Sequence, residues 1–315
     1  MTERTPGLHP SVARDAGKLA ADFLASRPFR HAVIEPFLDP EFCRRLIAGF
    51  PPFAAKHALN ERGEQGRKAV ISRLAEVGPA YSRFDRLMRD REFLALMGRI
   101  TGIPDLLYDP EYVGGGTHEN LDGQELDPHV DFNFHPSRAL HRRLNLIVFL
   151  NPEWREEWGG SLELLADPSA TSGEARKVVL PVANRAVVFE TTESSWHGFR
   201  RIRLPPGSTM SRRSIAVYFY THARPPEQTA PSHGTIYYQR PIPDHIRAGH
   251  TLSEADAAEL RDLVSRRDSY MRFLYERELE HSRLITALTR SPSFRIGRAI
   301  TWPLRTLRSL FGSIQ

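Results

Sequence analysis

The sequence predicts an α+β protein. A mostly helical stretch covers residues 1–104, a strand-rich core covers 105–225, and a helical extension with a basic tail covers 226–315. Three observations carry this. The apolar runs LNLIVFL (144–150), KVVL (177–180), AVVF (186–189) and SIAVYFY (214–220) are rich in β-branched and aromatic residues. Gly, Pro and Asn signals separate them, and several short strands at such spacing fit an antiparallel sandwich or barrel. After about residue 252 the apolar residues fall instead at helical steps.

In the first segment, Ala32 to Ile34 is a short strand candidate. Asp39 is placed to cap a helix that starts at Pro40, with proline in its first turn, and Pro51-Pro52 ends it. After the Pro-rich stretch at 223–232, a long helix is predicted from about Leu252, opened by a Thr251–Glu254 capping box. Leu260, Val264, Met271, Leu274, Ile285 and Leu288 recur at three- or four-residue steps or multiples of them, interrupted by Arg267, Glu278 and His281. Helix 252–290 therefore has two open readings, a homo-oligomeric coiled coil and docking on the body.

Composition narrows the class. With 40% hydrophobic and 26% charged residues, the 315-residue chain is expected to fold throughout. The single cysteine, Cys43, cannot form an internal disulfide or a Cys-based zinc or iron–sulfur site, which points to a reducing, cytoplasmic setting. The N-terminus lacks a secretory apolar stretch, and no run of about 18 apolar residues occurs, so a soluble or peripherally attached protein is expected.

The net charge of +5 is a property of the tail. From His281 to Gln315 there are six arginines and no acidic residue, which leaves −1 for everything before it. A nearly neutral body argues against nucleic acid as a partner. Residues 291–315 interleave arginines with Phe294, Ile296, Ile300, Trp302, Leu304, Leu307, Leu310 and Phe311, the composition of an interfacial membrane helix, although Pro303 should break or start a helix there. A solvated basic tail is the other reading. The run SPSFRIGRAITWPLR also resembles the C-terminal ends of some bacterial cell-surface polysaccharide glycosyltransferases, which hints at an inner-membrane-face context.

Metal chemistry is suggested by His129-Val130-Asp131, the one His-x-Asp or His-x-Glu among the 13 histidines. On a strand, residues i and i+2 share a side, so such a pair delivers an imidazole and a carboxylate from one segment. About one such pair is expected by chance in a chain of this composition, so the order of the surrounding parts matters more than the pair itself. A third ligand from a distant strand would leave one face of the metal open. His197 lies just past the strand AVVFE, ahead of the last apolar strand, which opens with Arg212-Arg213-Ser214.

The runs HVDFN, RRLNLIVFLNPEW, GGSLELL, PVANRAVVFE, SSWHGF and RRSIAVYFY, in this order, resemble the 2-oxoglutarate/Fe(II) oxygenase superfamily on its prolyl 4-hydroxylase-like branch, a resemblance that covers roughly residues 28–222 and is best from 105 onward. The resemblance implies a double-stranded β-helix (jelly-roll) core with N-terminal supporting helices, and Fe(II), 2-oxoglutarate and O2 as metal, cosubstrate and co-reactant. It implies His129, Asp131 and His197 as catalytic iron ligands, and Arg212 as the residue that takes the distal carboxylate of 2-oxoglutarate. Guanidinium suits that task as a fixed fork of donors. Arg212 and Ser214 share a strand face and Arg213 points the other way, so Arg213 is the second choice. Asn145, sharing a face with Ile147 and Phe149, is a further cosubstrate candidate or a structural amide.

The family often has a tyrosine a few residues before the first ligand, where this chain has the polar loop GGGTHENLDGQELDP. His118 and His135 start no His-x-acid pair and are assigned surface or substrate contacts. Asp131 favours hydroxylation, since the related halogenases lack that carboxylate. Small-molecule, peptide and glycan substrates stay open, because selectivity sits in loops such as 114–128 and 133–142. Two other classes compete: a catalytically silent β-barrel binding module of a polysaccharide assembly complex, and a zinc hydrolase on the same three ligands.

Overall fold

Local capping sets the helical framework at the N-terminal side. In a computed structural model that describes residues 6–58, 68–169 and 175–311, α1 (Pro10–Arg14) and α2 (Ala16–Ala25) lead into β1 (His31–Ile34) and α3 (Pro40–Ala48). The Asp39 carboxylate accepts the backbone N–H groups of Glu41 and Phe42, each at 3.1 Å, satisfying two donors that a helix start leaves without partners. The helix stops at Gly49, ahead of the two prolines. Next come β2 (Lys68–Ile71), α4 (Leu74–Val77), α5 (Pro79–Met88) and α6 (Arg91–Thr101). Strand β2 is a departure from the mostly helical expectation.

Ten further strands follow: β3 (Leu107–Tyr108), β4 (Gly116–Asn120), β5 (Leu126–Val130), β6 (His141–Phe149), β7 (Leu162–Leu165), β8 (Arg176–Val179), β9 (Ala186–Glu190), β10 (Trp196–Phe199), β11 (Arg212–Thr221) and β12 (Ile236–Tyr237). Two antiparallel sheets result, one ordered β1-β9-β6-β11-β4-β2 with β3 also on β11, the other ordered β12-β5-β10-β7-β8. The double-stranded β-helix expected from the sequence is therefore the architecture of the core. Alternation along β6 shows how it is held: Leu144, Leu146 and Val148 face the core shared with the helices, while Phe149 joins Leu164, Val187 and Phe189 between the sheets. Each such buried side chain contributes about 1.5–3 kcal/mol.

The polar loop expected over 114–128 is instead largely strand. β4 lies between β11 and β2, and β5 lies between β10 and β12, so tertiary pairing overrides the weak local propensity of GTHEN and LDPHV. The buried polar groups of β4 find partners, as where the Ser211 hydroxyl donates to Glu119 at 2.5 Å.

The chain divides into two units, Met1–Tyr238 and Gln239–Gln315. Residues 226–238, grouped with the extension by sequence, thus fall in the first unit, where β12 completes the second sheet. The second unit holds α7 (Glu254–Arg290) and α8 (Pro292–Phe311). Its capping box is Ser253–Asp256 rather than Thr251–Glu254: Ser253 Oγ accepts from Asp256 N at 3.1 Å and the Asp256 carboxylate accepts from Ser253 N at 2.8 Å. His245 and His250 bind that carboxylate at 2.8 and 3.0 Å, which selects the frame between two overlapping candidates. α8 runs through Pro303 instead of breaking there; the side chains from Trp302 onward lie outside the described residues. Among the described residues no helix is long and apolar enough to cross a membrane.

Candidate active site

The alternation set up by β5 continues one residue past its end, which puts His129 and Asp131 on one side. β10 runs antiparallel to β5 with His197 directly opposite His129, bringing the two rings to 4.2 Å between centroids. Gly198 permits this approach, because a Cβ there would lie 2.5 Å from the Leu126 carbonyl oxygen. His129 Nε2 lies 3.8 Å from Asp131 Oδ1, and His197 Nε2 lies 3.4 Å from Asp131 Oδ2. One ligand atom from each of the three residues falls within a 4.8 Å cluster.

The tautomers are set by the backbone. His129 Nδ1 lies 3.0 Å from the Asp127 carbonyl oxygen and His197 Nδ1 lies 3.0 Å from that of Ser195, so each Nδ1–H donates and each Nε2 keeps its lone pair for the shared space. Burial pushes the His197 imidazole below its ordinary value, favouring the neutral ligand form. Burial alone would raise the Asp131 carboxyl, but the Arg142 guanidinium and the Asn145 amide hold it well below the usual carboxylate range. Two neutral imidazoles and one ionised carboxylate on one face are a donor set suited to a ferrous ion with open positions.

Arg142 is the residue that sequence reasoning missed. It is fully buried, its Nη2 lies 3.0 Å from Asp131 Oδ2, and its guanidinium packs 3.5 Å from the Tyr218 ring centre and 4.4 Å from that of Phe132. Strict alternation would put Arg142 on the face opposite Asn145. The β6–β11 register slips between Phe219 and Tyr220, skipping Arg143, and this bulge returns Arg142 to the Asn145 side. Asn145 Oδ1 then accepts from Arg142 Nε at 3.1 Å and Nη2 at 2.8 Å, while Asn145 Nδ2 donates to Asp131 Oδ2 at 2.7 Å. Asn145 thus holds the carboxylate, as a structural amide would.

Arg212 and Arg213 separate clearly. Arg213 Nε lies 3.2 Å from Glu119 and 3.0 Å from Ser211 Oγ, with its guanidinium 4.9 Å from the Phe50 ring centre. Arg212 is 4% exposed and its guanidinium lies 4.3 Å from the Phe199 ring centre. Its Nε donates to the Gly160 carbonyl at 2.6 Å, and among the described residues no carboxylate lies within ion-pair distance of it. Burial pulls its pKa down to about 9. Gly160, at φ +68°, leaves room for the arginine stem, since a Cβ there would sit 3.3 Å from Arg212 Cδ. Ser214 is buried two residues on, opposite Phe149 and His118 in the ladders.

His118 sits on β4 and binds the Gly114 carbonyl at 3.2 Å. His135 is not at the surface: its side chain is buried beside Asp109, 3.4 Å away, against the Tyr220 ring. At the edge of the second sheet, Tyr237 pairs with His129 across β12–β5 and its ring lies 5.2 Å from the imidazole.

Fold and site together define a double-stranded β-helix with a two-histidine, one-carboxylate centre. Residues 116–220 match the model of the 2OG-Fe(II) oxygenase superfamily, and the two-histidine, one-carboxylate donor set found there fits Fe(II) with 2-oxoglutarate and O2. Prolyl 3-hydroxylase OGFOD1 of Mus musculus is 28% identical over 264 residues, a match covering 79% of this chain and 40% of that protein. The chain thus spans about two fifths of the length of that relative. Among solved structures, an oxidoreductase of the 2OG-Fe(II) oxygenase family from Burkholderia pseudomallei is similar at TM-score 0.45 and 16% identity, covering 66% of this chain and 90% of that one. A Pseudomonas putida prolyl-4-hydroxylase is similar at TM-score 0.41 and 16% identity, covering 70% and 98%.

Proposed function

We propose that the chain is a 2-oxoglutarate- and Fe(II)-dependent dioxygenase of the hydroxylase type, with His129, Asp131 and His197 holding the iron. The observation that carries this is the convergence of two Nε2 atoms and one ionised carboxylate, with a buried arginine that has no carboxylate partner among the described residues and packs on Phe149, in the cluster with Phe189 that lies against His197. When bound, the iron would supply the redox chemistry by which 2-oxoglutarate, O2 and a substrate C–H group yield succinate, CO2 and the hydroxylated substrate. Arg212 takes the distal carboxylate of 2-oxoglutarate, which gives its buried charge the counter-ion that the described residues do not supply. Arg142 and Asn145 keep Asp131 ionised and oriented, and Ser214 lines the same strand face as Arg212. The Phe149, Phe189 and Phe199 side chains around these groups exclude water.

Asp131→Ala is expected to abolish substrate-dependent succinate formation, and full activity in that variant would refute the ligand set. Anaerobic titration with Fe(II) and 2-oxoglutarate is expected to produce a weak visible charge-transfer band, which a silent binding module would not show.

The substrate classes we favour are a peptidyl proline, supported by the mouse relative's prolyl 3-hydroxylase name, and a cell-surface glycan or its lipid-linked precursor, supported by the tail. A succinate-release screen against peptides, amino acids and nucleotide- or lipid-linked sugars distinguishes them. We assign the protein to the cytoplasm with residues 291–315 touching the inner membrane face. In support, Phe294, Ile296 and Ile300 are exposed beside Arg295 and Arg298 on α8. Removing 291–315 should release the protein from the membrane fraction, and unchanged partition would count against this contact. We also read α7 as a pairing element between copies of the chain.

A further inference from the structure

The apolar stripe of α7 is uncovered. Val264, Met271 and Ile285 are 55%, 44% and 60% exposed, and Leu274 and Leu288 are 44% and 57% exposed. Such a row along a 37-residue helix calls for a partner. With Leu260 and the polar Arg267, Glu278 and His281, these positions follow strictly alternating steps of four and three. That is a heptad seam: Val264, Met271, Glu278 and Ile285 occupy one core position, and Leu260, Arg267, Leu274, His281 and Leu288 occupy the other.

The charged interruptions decide the direction. In a parallel, in-register pair each core residue meets its own copy, which would stack Arg267 on the partner's Arg267 and Glu278 on the partner's Glu278. In an antiparallel pair the two core positions meet each other. With the two-fold axis between Arg272 and Phe273, Met271 meets the partner's Leu274, Ile285 meets the partner's Leu260, and Glu278 meets the partner's Arg267. Val264 meets the partner's His281. At the flanks, Leu263 lies beside the partner's Leu284 and Asp268 beside the partner's Tyr275. No like charges oppose each other in this register.

We infer that the chain self-associates through α7 as an antiparallel helix pair centred between Arg272 and Phe273. This rests on the pairing reading of α7 and adds its direction and register. The Arg267–Glu278 layer, made twice per dimer, fixes both, because any shift by one heptad breaks the two charge contacts together.

The test uses the full chain. Sedimentation equilibrium is expected to show a dimer, and a monomer at tens of micromolar would overturn both the pairing and its register. Arg267→Glu and Glu278→Arg should each weaken the dimer by about tenfold or more, since each puts like charges in two layers. The double variant should restore it, with helicity by circular dichroism unchanged throughout. A mixture of Met271→Cys and Leu274→Cys proteins is expected to form disulfide-linked heterodimers under mild oxidation; native Cys43 is buried and does not compete. A dimer in which Leu274→Cys links instead to itself, or in which the double charge variant fails to rescue, overturns the antiparallel register while leaving the pairing standing.

Discussion

The Arg142 guanidinium lies 3.0 Å from Asp131 Oδ2, and the same oxygen accepts from Asn145 at 2.7 Å, so one carboxylate atom is anchored by two buried donors. Anchors of this kind orient a ligand without touching the metal. Arg142→Met is therefore expected to lower Fe(II) or Mn(II) affinity by about 10–100-fold while leaving one metal per chain. Anaerobic metal titration measures this, and an unchanged affinity would show that Asp131 needs no anchor.

Arg212→Lys should raise the KM for 2-oxoglutarate by roughly 10–100-fold, the range of one charge-assisted hydrogen bond, with little change in metal affinity. The lysine keeps the charge but loses the planar fork. Steady-state kinetics with 2-oxoglutarate as the varied component, alongside a metal titration, separates this from general damage to the site.

The pH dependence of the metal-free protein follows from His197. Burial holds its folded-state pKa below the ordinary histidine value of 6.5, so the unfolded chain takes up a proton that the folded chain refuses. The corresponding stability is present above pH 6.5 and is lost as pH falls through the folded-state pKa. Urea midpoints at pH 7.5 and 5.5 should show a drop that His197→Gln reduces. An identical drop in that variant would place the proton uptake elsewhere, for example on the buried His31, whose pKa burial also lowers.

Gly198→Ala should destabilise the protein by about 1–3 kcal/mol, because the new methyl has no room against the Leu126 carbonyl and β5 must yield. Since β5 carries His129, the same change should weaken metal binding. Urea unfolding and metal titration on one sample check both, and an unperturbed variant would mean that β10 can shift without disturbing the pair.

Where the chain follows a simple period, the sequence is a sufficient guide. Alternation puts His129 with Asp131 and Arg212 with Ser214, the cap at Asp39 is local, and the apolar runs at 144–150 and 214–220 form strands. What escaped is what depends on departures from period. Arg142 joins the site because a bulge reverses its face, and no local pattern announces a bulge at Arg143. β4 reads as loop because its strand character comes from β2 and β11 on either side. The α7 cap lies two residues beyond the Thr251 frame because Thr251 and Ser253 offer overlapping frames, and His245 and His250 reach Asp256 only after folding.

The first unit ends just after the edge strand β12. The chain leaves the jelly roll one residue after Tyr237, whose ring lies against His129. The polypeptide exit is thus wired to the proposed iron centre, and a truncation meant to discard the extension must stop after Tyr238. Cut at residue 225, the protein would forfeit the strand flanking His129, and a loss of activity would be mistaken for a requirement for the helices beyond.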